Sequence, residues 1–171
     1  MQTLWAPWRM QYIGESSTTG DSPACFLCAA LAAKDDTVPL VLARTAHAFV
    51  IMNRFPYNCG HLMIAPAAHA GSIDDVTDDA TIIDLWRLQA VAKRALSETM
   101  RPEGFNLGIN QGKCGGAGRR THLHVHIVPR GEGDCNFMPV VADAKVLPQA
   151  LDETYRILRP AFDRLMRGAQ T

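Results

Sequence analysis

The run THLHVHIVPR, Thr121 to Arg130, sets His122, His124 and His126 in alternation with Leu123, Val125 and Ile127. In a β-strand successive side chains point to opposite faces, so residues two apart stand about 6.5–7 Å apart on one face. Read as a strand, the run places three imidazoles in one row and buries Leu123, Val125 and Ile127 on the other face. Three aligned histidines do not improve packing. They supply a nucleophile or base, hydrogen-bond donors, or metal ligands near neutral pH. Half of the six histidines in the chain lie here.

Immediately upstream, GKCGGAGRR (Gly112 to Arg120) is glycine-rich. Gly112, Gly115, Gly116 and Gly118 let backbone N–H groups point into one concavity, which suits an anion such as phosphate. Lys113, Arg119 and Arg120 can add positive charge. Taken alone, the loop reads equally as a flexible hairpin connection. FNLGIN (Phe105 to Asn110) before it has strand composition. Further upstream VPLVLA (Val38 to Ala43), HAFVIM (His47 to Met52) and HLMIAP (His61 to Pro66) read as three more strands. The last two close an antiparallel hairpin across a turn signalled by Pro56, Asn58 and Gly60.

A long helix is expected over about 78–100, with Thr77 as its N-cap and Asp78 and Asp79 in its first turn. Its apolar stripe is read as Ile82, Ile83, Leu85, Trp86, Gln89, Ala90, Lys93 and Leu96, the polar members being interruptions. Arg101-Pro102-Glu103-Gly104 ends it. A short helix is expected over Cys25 to Lys34. A C-terminal helix is expected over about 147–167, in a segment running from 145 to 171. Residues 1–24 read as an irregular arm anchored by Trp5, Trp8 and Tyr12. Sequential strands with two main helices predict an α+β fold, an antiparallel sheet covered on one face.

At 171 residues the expectation is one domain with a proper core. Seventeen basic residues balance seventeen acidic ones. That argues against a nucleic-acid polymer or a membrane surface as partner, since both want a basic excess. No apolar run is long enough to span a membrane. The N-terminus lacks a basic segment followed by an apolar core, so a cytoplasmic location is the default expectation.

The five cysteines fall into a Cys25-x-x-Cys28 pair and three scattered residues, Cys59, Cys114 and Cys135. In a reducing compartment the pair favours metal or redox chemistry over a disulfide framework. A redox pair expects a βαβ context, which is missing. Two small core residues at a helix start is the plain alternative. Three histidines in a row make a poor tetrahedral cage for a metal. A zinc ion would more naturally take one of them with Cys25, Cys28 and His69. His61 and Asn53 read, on their own, as a strand-end histidine and a turn-former as readily as functional groups.

With these pieces placed, the chain resembles the histidine triad (HIT) superfamily. The family signature, His-φ-His-φ-His-φ-φ with φ apolar, stands here as His122-Leu123-His124-Val125-His126-Ile127-Val128. A second family stretch, an Asn or Asp eight residues before the histidine of a Gly-His that opens a strand, matches Asn53 and Gly60-His61. The resemblance spans from about Trp5 to the C-terminal helix. The opening LWAPWRMQYI, the block PYNCGHLMIAP and the tail GEGDCNFMPV look most like the bacterial diadenosine tetraphosphate (Ap4A) phosphorylase-like branch.

Membership implies a nucleotidyl hydrolase or transferase acting at the α-phosphorus of a nucleotide, adenine nucleotides being favoured. His124 would attack and carry the nucleotidyl group, and a fixed acceptor on its other ring nitrogen would hold the tautomer. His126 would hydrogen-bond phosphate oxygens or the leaving group. His61 would orient the row, Asn53 would bind the ribose hydroxyls, and Asn110, Gly116 and Gly118 would hold phosphate oxygens. The resemblance assigns structural Zn2+ to Cys25, Cys28, His69 and His122.

Many family hydrolases carry Gly-Gln-Ser/Thr shortly before the triad, and this chain has Ala117-Gly118-Arg119 there. The Gln that manages the attacking water is absent, which leaves room for inorganic phosphate as acceptor. Alternative readings are a phosphoramidate or dinucleotide hydrolase, a sugar-1-phosphate nucleotidyltransferase, and a zinc-stapled nucleotide-binding module without turnover. Relatives are homodimers that continue a sheet and pack helices across a two-fold axis, which makes the helix around Trp86 and Leu88 a candidate contact.

Overall fold

The computed structural model describes residues 25–112, 114–116, 122–132, 134 and 150–168. The arm with Trp5, Trp8 and Tyr12, the positions Lys113, Gly118, Arg119 and Arg120, and Cys135 with most of the tail around it lie outside the described residues. In order, the elements are α1 (Phe26–Ala32), β1 (Val41–Arg44), β2 (Ala48–Met52), β3 (Leu62–Pro66), a 3-10 turn (Ile73–Asp75), α2 (Asp79–Met100), β4 (Gly104–Ile109), β5 (Val125–Arg130) and α3 (Leu151–Gly168). The strands form one antiparallel sheet in the order β1-β2-β3-β5-β4. The α+β class and the antiparallel β2–β3 hairpin expected from the sequence are both present.

Alternation of side chains gives this sheet two unlike faces. One carries Leu42, Val50, Leu62, Ile64 and Ile127, packed against Leu88, Ala92, Leu96 of α2 and Leu158, Phe162 of α3. The other carries Val41, Phe49, Ile51, Met63 and Ala65 beneath Leu27 and Ala30 of α1. A sheet covered on one face was the expectation. The short helix α1 covers half of the second face, leaving open the half formed by β5 and β4.

Several elements differ from the sequence reading by a few residues, and four of the differences have a local reason. The first strand begins at Val41 instead of Val38, because Leu40 takes a left-handed conformation (φ 64) after Pro39. The cap of α2 is Asp78, not Thr77: its side chain accepts from Thr81 N–H at 2.8 Å. The buried stripe of α2 is Thr81, Leu85, Leu88, Ala92, Ala95 and Leu96, which follows the 3.6-residue period. Ile82, Ile83 and Trp86 lie on the neighbouring face and are 48%, 45% and 75% exposed. Leu88 therefore belongs to the core and cannot serve as an outer contact. Finally, β5 starts at Val125. His122 to His124 precede the ladder, and Leu123 N–H instead donates to Ala70 C=O at 2.6 Å. The C-terminal helix runs to Gly168, and the helix end at Arg101 is as expected, with that residue left-handed (φ 50).

Candidate active site and metal centre

The glycine before His61 fixes how that histidine enters the sheet. Gly60 has φ +75, and a Cβ there would fall 2.6 Å from Met100 Sδ and 2.9 Å from Leu96 Cδ2. Only glycine combines that backbone with so close an approach to α2. His61 then stands immediately before β3, in phase with Met63, and Met63 pairs with His126 of β5. Both imidazoles are buried, 1% and 9% exposed.

Their hydrogen bonds form a directed chain. The Tyr57 N–H donates to His61 Nδ1 at 3.0 Å, and the Asn53 amide stands 3.3 Å from the same nitrogen. His61 Nδ1 is thus an acceptor, and its proton sits on Nε2. That Nε2–H donates to His126 Nδ1 at 2.9 Å. By the same logic His126 carries its own proton on Nε2, where the Asn110 amide lies 3.4 Å away. One main-chain amide thereby sets the tautomers of two histidines. The Tyr57 ring stacks on His61 with centroids 4.6 Å apart, which locks the first imidazole.

His124 is set by a separate device. Its Nδ1–H donates to the carbonyl of His122 at 3.0 Å. Nε2 then carries the lone pair, and His124 lines a cavity of about 510 Å³ whose wall includes Asn53, Phe55, Gly116 and His126. Burial lowers the His124 pKa below the ordinary histidine value, partly offset by the bond to His122 C=O. A neutral imidazole with its Nε2 lone pair unprotonated is a nucleophile near pH 7. The His124 and His126 rings meet edge to face at 4.7 Å.

The third histidine turns to a different group. Cys25, Cys28, His69 and His122 each offer one ligand atom, and all four atoms lie within 4.8 Å of one another. His122 Nδ1 is 3.3 Å from Cys25 Sγ and 3.5 Å from Cys28 Sγ, and His69 Nδ1 is 3.2 Å from Cys28 Sγ. A tetrahedral zinc with Zn–S near 2.3 Å and Zn–N near 2.0 Å requires S···N edges of about 3.5 Å. The donor set fits a metal ion. His122 Nε2–H donates to Pro66 C=O at 2.9 Å, which turns the Nδ1 lone pair toward the thiols. Burial and the neighbouring Cys25 raise the Cys28 thiol above its ordinary pKa, so a metal must displace a proton to bind.

The sequence-predicted residues thus gather into two clusters: Asn53, His61, Asn110, Gly116, His124 and His126 in one, Cys25, Cys28, His69 and His122 in the other. Gly118 lies outside the described residues. Cys59 and Cys114 are free thiols that join neither cluster. Sequence reasoning missed Tyr57 and the carbonyl of Pro66. Main-chain partners leave no mark in residue type, and only the stacking propensity of an aromatic beside the Asn53-to-His61 turn could have pointed to Tyr57.

The site has the architecture of a histidine-triad protein, and comparison with known chains agrees. The HIT domain family model matches residues 36–133. The chain belongs to the HIT-domain family. A protein described as AP-4-A phosphorylase from Mycobacterium tuberculosis is 37% identical over 169 residues, covering 96% of this chain and 86% of that one. Two solved structures share the fold. A Zn-bound histidine triad family protein from Mycobacterium smegmatis superposes with TM-score 0.65 at 24% identity, covering 85% of this chain and 97% of its own. A hypothetical histidine triad nucleotide-binding protein from Sulfolobus tokodaii gives TM-score 0.66 at 21% identity, covering 84% and 95%.

Proposed function

We propose that this chain is a nucleotidyl transferase that cleaves a dinucleoside polyphosphate through a covalent adduct on His124 and passes the nucleotidyl group to inorganic phosphate, in the manner of an Ap4A phosphorylase. The observation that carries this reading is the His124 tautomer: Nδ1–H is held by His122 C=O, which leaves the lone pair on Nε2, and His124 lines the cavity. The 37% identity to a protein described as AP-4-A phosphorylase, across nearly the whole chain, supports the choice of substrate.

In the first step His124 Nε2 forms an N–P bond at the α-phosphorus while the P–O bond to the remaining nucleoside polyphosphate breaks and its oxygen keeps the electron pair. His126 Nε2–H and the Gly116 region stabilise the charge that develops on phosphate oxygens. His61 holds His126, and Asn53 binds ribose hydroxyls. In the second step a phosphate oxygen attacks the same phosphorus, and the N–P electron pair returns to His124. Ap4A and phosphate leave as ATP and ADP. A bound zinc ion at Cys25, Cys28, His69 and His122 supplies folding energy and takes no part in bond making. These thiols stay available as ligands in the reducing cytoplasm. No helix among the described residues is long and apolar enough to cross a membrane.

The single HIT domain is completed as a homodimer in this reading. Strand β4 stands at the sheet edge with Leu107 and Ile109 exposed, and α2 presents Ile82, Ile83 and Trp86 outward. A second copy covering these groups would continue the sheet. Mass measured in solution across a concentration series checks it, with a concentration-independent monomer as the contrary result.

Product analysis of Ap4A turnover tests the activity. ATP and ADP appearing only with phosphate is the expected outcome. ATP and AMP formed without phosphate would make the protein a hydrolase, and no turnover would favour the binding-module reading.

A further inference from the structure

Helix α1 is seven residues long, about two turns, and a helix so short keeps its place only through tertiary anchors. Its sides serve three neighbours. Leu27 and Ala30 are buried in the cluster that holds Phe49, Ile51 and Met63 of the sheet. Cys25, its N-cap, and Cys28 gather with His69 and His122. Phe26, Ala29 and Ala33 belong to the wall of the 510 Å³ cavity that Asn53 and His124 also line. One short element thus carries two of the four candidate metal ligands and one side of the cavity.

The two ends of α1 are held differently. At the C-terminal end, Arg44 of β1 donates from Nη1 to Leu31 C=O at 2.6 Å and from Nη2 to Ala30 C=O at 2.9 Å. Asp36 accepts from Arg44 Nε at 2.8 Å and keeps the guanidinium in place. These bonds satisfy carbonyls that a helix end leaves without partners. At the N-terminal end, among the described residues, no side chain caps the first turn. That end is tied through Cys25 and Cys28, whose sulfurs stand 3.2–3.5 Å from nitrogens of His69 and His122. Thiols are weak hydrogen-bonding groups, so these ties are slight unless the four residues share an ion. His69 follows β3 and His122 precedes β5, so sharing one fastens the start of α1 to the sheet.

We propose that the metal centre and the nucleotide cavity are linked through α1: when Cys25, Cys28, His69 and His122 hold an ion, the Phe26–Ala33 wall is fixed and nucleotide binds more tightly, and bound nucleotide tightens the hold on the ion. Without the ion, a nucleotide must itself order the wall, and its affinity falls by the fraction of molecules in which the wall is in place. Linkage is reciprocal, so the factor by which zinc favours nucleotide equals the factor by which nucleotide favours zinc. The inference rests on the proposed function for the identity of the ligand in the cavity.

The test uses binding and no turnover. AMP is titrated into the full chain loaded with zinc and into the same protein after chelation. Zinc affinity is measured against a competing chelator with and without saturating AMP. The expected result is AMP binding about tenfold weaker without zinc, and zinc binding tighter with AMP by the same factor. Hydrogen exchange of the zinc-free protein should quicken at the amides of α1 while β2 and β3 stay protected. Phe26→Ala should bring the factor below threefold and leave the zinc affinity of the nucleotide-free protein unchanged. Equal AMP affinity in the two forms, or a chain that takes up no zinc, overturns the linkage. Exchange that quickens across the sheet overturns it too, because weak AMP binding would then report general unfolding. A factor that survives Phe26→Ala places the coupling outside the wall and overturns it as well. AMP that binds neither form removes the nucleotide reading and the linkage together, whereas equal affinity removes the linkage alone.

Discussion

His122 and His126 stand four residues apart in one run and are almost equally buried, 4% and 9% exposed. One faces two thiols and a histidine; the other faces a histidine and an asparagine. The difference comes from where β5 begins. His126 lies within the ladder, opposite Met63 and Gly108, and so projects onto the open half of the sheet. His122 lies before the ladder, where the chain has turned toward Ala70, and reaches the start of α1. A period-two pattern in sequence thus serves two clusters with different chemistry, joined through one residue: the His122 side chain belongs to the four-residue cluster that could hold a metal ion, and its carbonyl fixes the tautomer of His124. The lesson is that a row of identical residues takes its roles from what the neighbouring elements bring to each one.

The contrast predicts that changes at the two ends damage different properties. The largest effect is expected between them, at His124→Ala, where removal of the nucleophile should lower turnover by roughly 10⁴-fold or more. Steady-state rates with an unchanged melting temperature check this, and a loss under tenfold would remove His124 from the chemistry. His126→Ala should cost about 10²–10³-fold in kcat, as loss of one charge-stabilising donor does, and should leave melting nearly unaltered.

At the other end the order of effects reverses. Cys25→Ser, or a strong chelator, should lower stability by roughly 3 kcal/mol, a melting shift of about 6–12 °C at this chain length. Parallel metal analysis should show about one zinc per chain lost. A melting curve indifferent to both treatments would mean that the four-ligand cluster does not hold a stabilising ion. Gly60→Ala is the mildest change. Left-handed backbone and contact with Met100 and Leu96 should cost about 2 kcal/mol, seen as a fall in the denaturant midpoint. No change there would show that the approach of β3 to α2 is looser than the distances imply.

Much of this was legible in the sequence because it rests on side-chain type. The histidine alternation, the Cys25-x-x-Cys28 spacing, Asn53 before the turn and the glycine at 60 each carry their chemistry in the residue itself. Features that rest on backbone position were not. Strand β5 was read four residues too early, from Thr121, since alternation continues through His122 although the ladder does not. On α2 the apolar run Ile82-Ile83 drew the stripe onto the outer face, whereas small residues, Thr81, Ala92 and Ala95, make the inner one where the helix approaches the sheet closely. Tyr57 N–H and Pro66 C=O between them orient three histidines, His61, His126 and His122, and any residue could have supplied those groups.

The central claim is that His124 becomes covalently nucleotidylated. The direct measurement is mass analysis of the protein quenched during Ap4A turnover without phosphate. The expected result is one adenylyl group on the peptide containing His124, released on adding phosphate and absent from His124→Ala. Turnover with no adduct, or an adduct that persists in His124→Ala, would contradict it.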